Sequence, residues 1–156
     1  MIYWNSQENK LLQSFKEDTI MANYKAATLR YLDGKNIKYN DSDEFHIVVP
    51  FSGDNIKSFR VHINFDKDGE GMIQAYAWDI GNFSGDNYAK GLIICNELNC
   101  KYRWVKFYLD SDKDVCVSLD AYVDIETVGE EVLNLIHRIV RIGDEAYPAF
   151  MKALWS

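Results

Sequence analysis

No run in this chain approaches the roughly 18 consecutive apolar residues of a membrane-spanning helix, so no membrane partner is expected. The opening residues, Met1 to Asn9, lack a basic segment followed by an apolar one, and no secretory signal is expected there. Cysteine is scarce and odd in number: Cys95, Cys100 and Cys116 offer no disulfide framework, which predicts reduced thiols and a cytoplasmic setting. The Asn82-Phe83-Ser84 sequon is then incidental. Lysine and arginine never form a run, and the net charge is −7. A field of that sign repels a phosphate backbone, so no nucleic-acid partner is expected.

The strings that carry catalysis are missing as well. There is no Gly-x-Ser-x-Gly elbow and no glycine-rich phosphate loop. Zinc sites need cysteine pairs with two to four residues between them plus two further soft ligands, and Cys95-x4-Cys100 has only Cys116, expected on a strand, to add. Asp110-Ser111-Asp112-Lys113-Asp114 begins like a calcium loop. Its sixth position is Val115, where a glycine must turn, and its twelfth is Ala121, where a bidentate glutamate belongs. It reads as a solvated hairpin tip, and so does Asp66-Lys67-Asp68-Gly69. In an acidic chain Glu70 or Asp79 does not stand out from the background. The reading is a protein that is not an enzyme and holds no cofactor or metal.

What the chain does have is a globular composition: 156 residues, 47% hydrophobic, 14% aromatic and 26% charged. A domain of that length buries about 70% of the surface its unfolded chain exposes and needs no covalent staple. No repeat, linker or low-complexity tract divides it, which predicts one domain over 1–156, with 1–18 a looser helical lead-in.

Leu12, Phe15, Tyr24, Leu29 and Leu32 recur at helical spacing, with a main helix expected over 19–33, capped by Asp18 or Thr19 and ended by Gly34. Asn40-Asp41-Ser42-Asp43 is turn chemistry. Strands follow in which Phe45, Ile47, Val49 and Phe51, then Phe59, Val61, Ile63 and Phe65, alternate with polar residues. Residues 72–78 form a return strand whose buried face alternation leaves open. A helix to about Cys100 should bury Tyr88, Leu92, Cys95 and Leu98, although Gly91 weakens it. A hairpin then sets Val105, Phe107 and Leu109 against Val115, Val117, Leu119 and Ala121. Thr127 to Glu130 has the form of a capping box, and Val128, Val132, Leu135, Ile139, Ile142, Ala146 and Phe150 mark a long last helix. Pro148 should kink or restart it.

Asn96-Glu97-Leu98-Asn99, Val105 to Asp110 with its acidic turn, and Asp144-Glu145-Ala146-Tyr147-Pro148 resemble the YbjN family, labelled a bacterial sensory transduction regulator. The family's fold is similar to that of class I type III secretion chaperones, small acidic cytoplasmic proteins that dimerise and bind segments of other proteins. The resemblance is close over 96–155 and looser from 19, and no motif in it is catalytic. Pattern and resemblance together predict an α+β fold. It has one antiparallel sheet of about five strands with helices on one face, in the order α-β-β-β-α-β-β-α. The expected function is a chaperone-like or regulatory protein-binding module, a homodimer with an unknown protein partner. The alternative is a sensory domain for an ion or small molecule, with its pocket between the last helix and the sheet.

If the alternating apolar residues face the helices, the other face gathers Trp104, Tyr108, Tyr122, Arg60, His62 and Lys106. Aromatics and arginine on an open face have the composition of an interface. They are the expected partner-binding residues. His46 and His62, both outward on strands, could approach each other across the sheet, and His137 belongs on the polar side of the last helix.

Overall fold

The structure, a computed structural model, describes residues 10–12, 24–78 and 80–156, with every side chain among them except that of Ser42. The expected caps Asp18 and Thr19, and Phe15 and Asp79, lie outside the described residues. Residues 24–34 are helical and are called α1. Then come β1 (Asn40–Asp43), β2 (His46–Phe51), β3 (Phe59–Phe65), β4 (Met72–Ala77), α2 (Tyr88–Lys101), β5 (Lys106–Leu109), β6 (Val115–Tyr122) and α3 (Val128–Trp155). The six strands form one sheet in the order β1-β2-β3-β4-β6-β5, antiparallel throughout.

Strand alternation puts Ile47, Val49, Val61, Ile63, Ile73, Ala75, Val117 and Leu119 on one face, all buried. Across that face lies α3, against β3, β4 and β6. Val132, Leu135, Ile136 and Ile139 supply its buried stripe and are at most 2% exposed. Each such side chain contributes roughly 1.5–3 kcal/mol on burial, so this layer contact is the core of the molecule. Packing α2 against both β5 and α3 extends it.

Two glycines let the helices approach. A Cβ on Gly129 would stand 2.3 Å from the Cβ of Tyr31, so α1 seats in a notch on α3. One on Gly91 would stand 2.7 Å from the Cβ of Phe83. Gly91 is therefore the contact point of α2 rather than its weak point. The buried stripe of α2 is Gly91, Cys95 and Leu98, and Tyr88 and Leu92 face outward instead.

Other local expectations are corrected. Asn40 to Asp43 is not a turn but an edge strand, which gives six strands rather than five. An edge strand pairs its backbone on one side and needs no apolar face, and the Lys25 ammonium of α1 holds it through the Asp43 carbonyl and the Asp41 carboxylate. Gly34 is helical. The left-handed residue is Asn36, at φ 55, with Asn36 N–H donating to Asp33 and Ile37 N–H to Leu32 in a Schellman closure. Thr127 is the N-cap of α3, but its hydroxyl donates back to the Asp124 carbonyl and caps nothing.

Pro148 does not interrupt α3, which runs unbroken to Trp155. Its missing N–H should leave the Asp144 carbonyl orphaned. The Asn55 side-chain amide donates to that carbonyl at 3.0 Å. In return the Asp144 carboxylate accepts the backbone N–H groups of Asp54, Asn55 and Ile56 at 3.1, 2.9 and 2.8 Å. The β2–β3 loop is latched to α3, and Gly53 leaves the room for it: a Cβ there would lie 2.2 Å from the Asp144 carboxylate.

Candidate functional site

No described helix packs on the second face of the sheet. Register sets Val48, His62, Tyr76, Ser118 and Lys106 in one row across it, and His46, Asn64, Gln74 and Asp120 in the next. The His62 ring stacks with those of His46, Tyr76 and Trp78, at centroid distances of 5.1, 5.2 and 4.1 Å. The four rings make a continuous aromatic plate over β2, β3 and the end of β4. His46 Nε2 and His62 Nδ1 are 2.9 Å apart, so one nitrogen carries the proton and the other accepts it. Asn64 donates to Gln74 and to the Tyr76 hydroxyl, and Lys106 pairs with Asp120 at 3.5 Å.

Cys116 lies on this face yet is buried. Burial first, and then the Asp110 carboxylate, push its thiol up to about 11. A thiol that weak is protonated at neutral pH and is not an activated nucleophile. Among the described residues no three His, Cys, Asp or Glu side chains could hold a metal ion. The carboxylates of the acidic hairpin tip are engaged locally: Asp110 accepts the N–H groups of Asp112 and Asp114, and Asp114 accepts the Asn82 amide. What the face offers is aromatic surface with hydrogen-bonding edges.

Of the residues expected here, Arg60, His62, Lys106, Tyr108 and Tyr122 do lie on this face, by their register with Pro50, Tyr76, Ser118, Cys116 and Met72. Trp104 does not join them. The bend before β5 breaks the alternation, and its ring lies against α3, with the Arg138 guanidinium 4.3 Å from the centroid. His46, Tyr76 and Trp78 complete the plate and were not among the expected partner-binding residues. Their signal was the hairpin register: His62 opposite Tyr76 fixes Tyr76 to the face that Val61 and Ile63 avoid.

Among the described residues the interface of α3 with the sheet is filled by buried side chains. A hollow of about 500 Å³ lies instead at the rim of the plate, lined by residues such as Asp43, His46, Asp66, Lys67 and Tyr76. On the outer side of α2, Tyr88, Leu92 and Ile93 form a second exposed apolar strip.

No curated protein matches the chain. Among solved structures it is similar to YbjN from E. coli, at 15% identity, covering 75% of this chain and 86% of that one, with a TM-score of 0.53. Likenesses with lower scores are to the HopA1-SchA chaperone-effector complex and the ExsC-ExsE complex. These have 11% and 13% identity and TM-scores of 0.46 and 0.42. The first covers 75% of this chain and 90% of that one, the second 81% and 90%. The YbjN family, described as "Putative bacterial sensory transduction regulator", matches residues 29–152. A match of that extent makes this chain a member of the YbjN family.

Proposed function

We propose that the chain is a non-enzymatic, cytoplasmic module that binds protein, chaperone-like or regulatory in role, and that it self-associates through the bare sheet face. The observation that carries the reading is the aromatic plate of His46, His62, Tyr76 and Trp78, with Tyr108 and Tyr122 beyond it, on a face that no described helix covers. Truncating a buried aromatic anchor of an interface costs ~2 kcal/mol or more.

Both sheet edges are closed to an added strand, which favours the face. β1 is four residues long with an irregular register. On β5, the Asn99 side chain occupies both backbone groups of Phe107, at 2.7 and 2.9 Å. The apolar strip Tyr88, Leu92 and Ile93 on α2 is then left for a segment of the partner.

Sedimentation velocity of the full chain tests this. The expected result is a dimer that Tyr108→Ser with Tyr122→Ser dissociates, with unchanged circular dichroism. A wild-type protein that stays monomeric at high concentration rejects it. A second reading, an ion or small-molecule sensor, rests on the hollow beside His46 and Tyr76. It requires one ligand to raise the melting temperature by several degrees.

A further inference from the structure

We propose that the outer ridge of α3, with the turn that follows α2, is a docking site for an acidic segment of a partner protein. In a chain of net charge −7, half-buried Arg138 shares one stripe of α3 with exposed Asn134, His137 and Arg141 around a shallow depression. Residues three and four apart on a helix are neighbours, about 5–6 Å between Cβ atoms, so the stripe presents its cations as one band. Trp104 extends it sideways. Its ring is 61% exposed yet lies under the Arg138 guanidinium, and Arg103 precedes it in the same exposed turn. On the other flank the Phe51 ring meets His137 edge-on at 6.0 Å.

Among the described residues these guanidinium groups have no carboxylate within ion-pair distance. Ion pairs such as Lys25 with Asp41 and Lys106 with Asp120 lie elsewhere. Glu131 and Glu145 bracket the band from its two ends along α3 without pairing with it, and Asp144 is spent on the β2–β3 loop. Planar guanidinium forks match carboxylates two bonds at a time, and an exposed indole beside them takes the apolar part of the same segment.

The acidity of the remaining surface selects the class of partner. A short acidic segment stays within a Debye length, ~8 Å, of the cations. A nucleic acid, with a charge every ~1.7 Å of duplex, would run on into repelling surface.

Two fluorescein-labelled decapeptides test the site by anisotropy against the full chain. They are identical except that one has glutamate where the other has glutamine, and an oligothymidylate of equal net charge is the third probe. The glutamate peptide is expected to bind about tenfold tighter at low salt, a difference of one decade in Kd. Arg138→Gln with Arg141→Gln should erase that preference, Trp104→Ala should weaken both peptides, and Asn134→Arg should tighten the glutamate peptide. Equal binding of the two peptides, an undiminished preference in the double variant, or tighter binding of the oligothymidylate overturns the proposal.

Discussion

Asp144 holds two distant segments with one side chain. Burial alone would raise its carboxyl, but the N–H groups of Ile56, Asn55 and Asp54 and the Asn55 amide outweigh it and hold it below the ordinary carboxyl value. A carboxyl that is more acidic folded than unfolded contributes stability in full above its unfolded pKa and loses it as pH falls through the folded one. Asp144→Asn should therefore lower the urea midpoint at neutral pH, and the gap from wild type should close in acid, below about pH 4. A gap that stays constant into acid would mean that shape, not charge, holds the loop. None of this was legible in the sequence, where Asp144 is one acidic residue among 24 Asp and Glu and its partners lie about 90 positions away.

At the scale of elements, α3 shows why a rule of local sequence can fail without being wrong. Proline in a helix interior costs ~3 kcal/mol, chiefly through a lost hydrogen bond and a clash with the carbonyl four residues back. Here Asn55 satisfies that carbonyl from another element. A double-mutant cycle should show it. Asn55→Ala costs about 1 kcal/mol in the wild type and less with Pro148→Ala, where the helix supplies its own N–H. Equal costs in both backgrounds would dissolve the link. Periodicity located what depends on one chain face at a time: all seven residues from Val128 to Phe150 that step by three or four are buried, and the strands alternate as spaced. It misread what depends on a neighbour. Asn40 to Asp43 pairs because β2 is beside it, Leu92 faces out because Gly91 is the contact, and Trp104 turns to α3 because Arg138 is there. The sheet-face site was half legible for the same reason: Arg60, His62, Lys106, Tyr108 and Tyr122 follow from alternation, whereas Tyr76 and Trp78 required pairing across strands.

For the whole molecule, the closed edges decide how it meets others of its kind. Asn99 imitates a neighbouring strand at Phe107, so its removal should uncover a template as well as destabilise the fold. Asn99→Ala should cost about 1–3 kcal/mol for the two unsatisfied backbone groups and make light scattering grow with concentration on mild heating. A variant that loses stability but stays clear would assign Asn99 to packing alone. The notch at Gly129 has a consequence for how the protein is made. Tyr31 leaves the ribosome about a hundred residues before the glycine that receives it. Until the twenty-eight-residue α3 emerges, the nascent sheet has Val61, Ile63 and Ala75 uncovered and α1 has no seat. Translation must therefore pass α3 before this fold has an inside, and anything that shields the sheet until then must let go to a helix made after every strand it covers.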